Sequence, residues 1–84
     1  MQTKIKFGMA ISRHRAFIAT ALKSIMDPTD PHFMDAVEAG VDASWSAEYS
    51  AGNGVSHTGK GLKGDFRAWA DINTGEVKIY RLIG

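Results

Sequence analysis

The stretch from Val41 to Gly64 constrains the fold more than any other part of the chain. Val41, Ala43, Trp45, Ala47, Tyr49 and Ala51 fall on one side at period two, while Asp42, Ser44, Ser46, Glu48 and Ser50 fall on the other, which is the pattern of a half-buried strand. That strand runs straight into Gly52 to Gly64, a segment holding five of the nine glycines. Read as a loop, the segment exceeds the connections of a compact domain, and such loops are functional or mobile. The flanking sequence must then supply the partners that complete the sheet.

Upstream, Lys4 to Met9 alternates with Ile5, Phe7 and Met9 inward and reads as a first strand. Ser12 caps a helix expected to reach about Asp27, where Pro28 and Pro31 stop it. Its apolar arc is Ile11, Phe17, Ile18, Ala21, Leu22, Ile25 and Met26. Asp30-Pro31 is a helix-start pair, so a second, short helix should run to about Ala39 with Phe33, Met34 and Val37 inward, and Gly40 supplies its left-handed stop.

Downstream, Phe66, Ala68, Ala70 and Ile72 alternate with Arg67, Trp69 and Asp71, and Asn73-Thr74-Gly75-Glu76 turns the chain into a strand from Val77 to Ile83. A four-residue turn sets Ile72 against Val77, Ala70 against Ile79, Phe66 against Ile83 and Trp69 against Tyr80. A three-residue turn with Gly75 as a bulge shifts the register by one and exposes Ile79 or Val77, so burial favours the first. The sum is an α+β domain spanning residues 1–84, a four-stranded antiparallel sheet with two helices packed on one face, in the order βααβββ. The expected core holds Phe7, Phe17, Ile18, Leu22, Ile25, Phe33, Val37, Trp45, Ile72 and Ile79.

The chain's 84 residues suffice for one hydrophobic core and exclude a second domain. The absence of cysteine removes disulfides and thiolate metal sites, and with no signal-peptide pattern or long apolar run the chain reads as cytoplasmic, without a membrane role. Charge is segregated. Lys4, Lys6, Arg13, Arg15 and Lys23 give residues 1–23 a charge of +5, six acids from Asp27 to Glu48 give residues 24–59 a charge of −6, and the remainder carries +2. Folding either turns these blocks into opposed surface fields or interleaves and cancels them.

Gly54 to Lys60 has the GxxxxGK spacing of a phosphate-binding loop, but Gly61 stands where Ser or Thr must hold magnesium, and Gly61-Leu62-Lys63-Gly64 opens no helix. His14, His32 and His57 sit on three different elements without metal-site spacing. No catalytic constellation, metal site or cofactor motif is identified. The sheet face opposite the helices is more informative, because Arg67, Trp69 and Tyr80 project there as aromatics flanked by cations. That combination binds unstacked bases or a protein partner, or else stabilises the sheet as a cross-strand pair.

Gly61-Leu62-Lys63-Gly64-Asp65-Phe66-Arg67 resembles the leucine-glycine loop leading into a basic strand in the RelE-type family of mRNA-cleaving bacterial toxins, and the βααβββ order is similar. That resemblance implies a metal-independent ribonuclease or a small RNA-binding domain, with Lys60, Lys63, Arg67, Tyr80 and Arg81 matching its functional side chains and His57 as a general acid or base. In size, lack of cysteine and compact α+β order, the whole chain also resembles small phage-encoded inhibitors of bacterial defence, the anti-CRISPR proteins especially. This resemblance implies a non-catalytic inhibitor or adaptor, monomer or homodimer, acting in a bacterial host cell on a large protein or nucleoprotein complex, nucleic acid included. Two contact surfaces compete: the glycine loop and sheet face, with His57, Lys60, Lys63, Arg67, Trp69 and Tyr80, or an acidic surface imitating nucleic acid, with Asp35, Glu38 and Asp42. The clustered glycines favour the first.

Overall fold

A computed structural model describes residues 2–6, 11–24 and 26–82. The class is α+β and the sheet is antiparallel, as expected. Six elements follow in order: β1 (Gln2–Lys6), α1 (Arg15–Leu22), α2 (Phe33–Gly52), β2 (Thr58–Lys63), β3 (Phe66–Asp71) and β4 (Glu76–Leu82). The last three form a meander. β1 pairs with the far side of β4, giving the order β1-β4-β3-β2. Both helices feed the core on the same side of the sheet.

The expected strand Val41–Ala51 is instead the second half of α2, a helix of 20 residues. Its buried positions, Phe33, Ala36, Val37, Ala39, Gly40, Val41, Ala43, Ser44 and Ala47, recur at helical spacing and include small residues that a strand reading counts as alternation. Alanine is the best helix former, and Val41 is the only β-branched residue from Val41 to Gly52. Trp45, assigned to the core above, is consequently half exposed, as are Phe17 and, at the β3–β4 turn, Ile72. Expected core positions Ile18, Leu22, Phe33, Val37 and Ile79 are buried, and Phe7 and Ile25 lie outside the described residues.

The helix boundaries follow from local chemistry. The Asp30 carboxylate accepts the His32 amide at 2.8 Å, turning the chain into α2. Gly40 is mid-helix, where a side chain would press on Ile18 and Ile79, so it lets α1, α2 and β4 meet. The stop comes at Gly54, whose φ of +70° is the left-handed conformation that glycine adopts without steric cost. Gly54 donates its amide to Ala51 and Val55 donates to Ser50, the paired bonds of a Schellman motif. α1 is shorter than expected, ending at Leu22 ahead of the turns that carry Pro28 and Pro31.

The Gly52–Gly64 segment is therefore no long loop. Five residues, 53–57, connect α2 to β2, and Gly59 and Gly61 are the buried, inward-facing positions of that strand, ahead of Lys63 at its end. A Cβ on Gly59 would collide with the α2 backbone at Ala43 and Ala47, and one on Gly61 would collide with it at Ala39 and Ala43. Ala39, Ala43 and Ala47 form one i, i+4, i+8 row on the helix, so helix and strand meet backbone to backbone. Along the rows Gly59-Ala70-Val77 and Gly61-Ala68-Ile79 the inward residues grow across the sheet from β2 to β4, so α2 lies closest over β2.

Gly64, with φ +55°, and Asp65 close the β2–β3 hairpin in two residues. The β3–β4 turn spans four residues, 72–75, one position earlier than expected, and sets Ala70 against Val77 and Ala68 against Ile79. The shift from the expected pairs amounts to two residues, which preserves the face of every side chain.

Candidate functional site

β2, β3 and β4 stack their outward residues in cross-strand rows. Lys60, Trp69 and Lys78 are in register in one row, and Leu62, Arg67 and Tyr80 in the next. Strand neighbours lie about 4.8 Å apart and alternate rows about 7 Å apart, so cations and aromatics alternate over a compact patch. A partly open groove of about 460 Å³ runs through it, lined by Lys60, Leu62, Arg67, Trp69, Tyr80 and Leu82 among others. The Lys60 ammonium lies 5.2 Å from the centre of the Trp69 ring.

Electrostatics within the patch are one-sided. Lys60, Arg67 and Lys78 have no carboxylate partner among the described residues. The outward acids Asp71 and Glu76 occupy the row at the β3–β4 turn, beyond Trp69. There the His57 ring nitrogen stands 3.8 Å from the Asp71 carboxylate, and the His57 carbonyl accepts the Ile72 amide at 2.8 Å. His57 thus belongs to the end of the face and is occupied in closing it.

Lys63 departs from the expected group. It pairs with buried Phe66, faces the helix side of β2, and helps hold the Glu38 carboxyl below its ordinary range. Arg81 likewise pairs with Phe66 and stacks on its ring at 5.4 Å. Of the side chains offered for ribonucleolysis, Lys60, Arg67 and Tyr80 share the outer face, whereas Lys63 and Arg81 do not.

The acidic set lies along α2. Glu38 receives a two-pronged hydrogen bond from the Arg15 guanidinium, with Arg15 Nη2 at 2.7 Å, and this bond is the main cause of its lowered carboxyl pKa. Asp42 adds to the field that raises the Arg15 pKa. Glu48 pairs with Arg13 at 2.7 Å, and the same guanidinium covers Trp45 at 4.4 Å. The Asp35 carboxylate lies against the backbone of Gly64. Arg13 and Arg15, just before and at the start of α1, thus interleave with the acidic helix and cancel much of the charge segregation visible along the chain.

Sequence reasoning missed Lys78 and Leu62, which the observed register brings beside Trp69 and Arg67. For Leu62 the available signal was the alternation of Thr58, Lys60 and Leu62 with glycines, a strand pattern whose inner side has no side chains. No group of His, Cys, Asp and Glu side chains able to hold a metal ion occurs among the described residues, and no helix among them is long and apolar enough to cross a membrane. No family model, curated protein or solved structure matches the chain.

Proposed function

We propose that this protein is a binding module whose contact surface is the outer face of the sheet, and that it acts as an inhibitor or adaptor on a nucleoprotein assembly. The observation that carries the reading is the pair of rows Lys60-Trp69-Lys78 and Leu62-Arg67-Tyr80, which offer aromatic surface and uncompensated positive charge together. Aromatic and Arg anchors concentrate the energy of interfaces, so a patch with both is suited to specific contact. The acidic alternative has weaker support, since Glu38 and Glu48 already hold arginines of the same chain. An ionised group with a close internal partner has less charge to offer a second one.

Affinity capture from a bacterial lysate tests this. Immobilised wild type should retain a partner that Arg67→Glu and Trp69→Ala lose and Asp42→Lys keeps. Capture lost on Asp42→Lys and kept by both face variants would move the contact to α2 and overturn the reading.

A further inference from the structure

We infer that the occupant of the outer face is a single-stranded nucleic acid, its bases stacked on Trp69 and Tyr80 and its phosphates against Lys60, Arg67 and Lys78; the inference rests on the outer face being the contact surface. Three features of the face select this chemistry over a protein partner. First, the cations stand beside the aromatics in successive rows, so a base on a ring places its phosphate next to an ammonium or guanidinium. Second, two of the three cations are lysines, which protein interfaces exclude from their cores because a buried ammonium loses its hydration. Against phosphate the same lysines release condensed counterions and gain affinity. Third, Asp71 and Glu76 occupy the row beyond Trp69, while Asp65 lies in the β2–β3 turn with its carbonyl accepting the Leu82 amide, so acids stand at both ends and the anionic path is confined to the cationic rows between them.

The shape agrees. The groove is partly open to solvent along the sheet, and bases splayed on a sheet need only such a shelf. Lys60 now lies over the indole ring, and an incoming base takes that position while the ammonium moves to the phosphate. RNA and DNA strands share this chemistry.

The test is fluorescence anisotropy of labelled oligouridylate and oligothymidylate, each about eight nucleotides long, titrated with the purified protein. At about 50 mM salt the folded wild type should bind with a dissociation constant below about 100 µM. The slope of log affinity against log salt should be about −2, and Arg67→Gln should make it shallower by about 0.7. Trp69→Leu, which keeps an apolar cross-strand contact, should weaken binding roughly 5- to 150-fold with the thermal midpoint preserved. Preference for one oligonucleotide identifies the strand as RNA or DNA. Absence of binding by folded wild type, or binding indifferent to both substitutions, overturns the inference. If oligonucleotides fail while capture from nuclease-treated lysate still depends on Arg67 and Trp69, the occupant is a protein and only this inference falls. Failure of both assays removes the outer-face reading as well.

Discussion

Replacing Gly61 with alanine adds one methyl group to the point where β2 and α2 touch. That methyl would stand 2.6 Å from the Ala43 amide nitrogen and closer still to the Ala39 carbonyl oxygen, whereas ordinary contact begins at 3.4 Å. Clearing the Ala43 nitrogen alone takes about 0.8 Å, and the nearer Ala39 oxygen demands a retreat of more than about 1 Å. Nothing nearer can yield, because the obstructing atoms are backbone. A gap of about 0.5–1 Å forfeits a quarter to a half of the dispersion attraction between the separated surfaces. Here the separated surfaces are the buried row of α2 and the inner face of the sheet, which form most of the core.

Overpacking costs about 1–3 kcal/mol where side chains can adjust, and against backbone the cost belongs at the top of that range. In a domain whose net stability is about 4–13 kcal/mol, a loss of about 3 kcal/mol lowers the thermal midpoint by roughly 12–24 °C. Gly52→Ala is the matched control. Gly52 ends α2 with nothing within 4 Å of an added Cβ, so alanine there should gain about 0.5 kcal/mol and raise the midpoint by about 2–4 °C. Thermal and urea unfolding followed by circular dichroism read both. If Gly61→Ala leaves the midpoint within a degree or two of the wild type, the helix–strand contact is wrong and the segment is a flexible loop after all.

Two further changes probe the rest of the frame. Leu22 is fully buried on α1, so Leu22→Ala should cost about 2–5 kcal/mol, seen as a lower urea midpoint at unchanged slope, and an unmoved midpoint would detach α1 from the core. Arg15→Ala removes the partner that depresses the Glu38 pKa, so that contribution to stability is present above the ordinary glutamate range near about 4.3 and is lost as pH falls through the lower folded value. The wild type should melt slightly above the variant at neutral pH and together with it in acid; a gap that persists in acid would mean that Arg15 acts through packing.

How far the sequence can be read depends on how large the signalling side chains are. Phe66, Ala68 and Ala70 against Arg67 and Trp69, and Val77 and Ile79 against Lys78 and Tyr80, alternate with enough contrast to fix both strands and their outer face, even though the register slides by two. The run from Val41 to Ala51 fits period two and period 3.6 equally well, because its inward helical residues after Val41 are only Ala43, Ser44 and Ala47, which weigh little in either pattern. Trp45 and Tyr49 decided the strand reading by their size, yet they lie four apart on the exposed side of α2, at 51% and 73% exposure. β2 is harder still, since a strand whose inner side is Gly59 and Gly61 displays no apolar alternation at all.

The same two glycines join the architecture to the proposed site. Alternation along β2 commits Gly59 and Gly61 to the helix side and Lys60 and Leu62 to the outer side, so the residues that admit α2 also fix where the groove finds its cation and its apolar end. A larger residue at either glycine position would lift α2 from the edge of the sheet and loosen the strand that presents Lys60 to Trp69. Binding on the outer face and helix packing on the inner face are thus coupled through one strand. A change at Gly59, which lies outside the groove lining, should weaken ligand binding without touching any contact residue, whereas Trp69→Leu should weaken binding and leave unfolding unchanged. That asymmetry separates a face held in place by the fold from one that merely adjoins it.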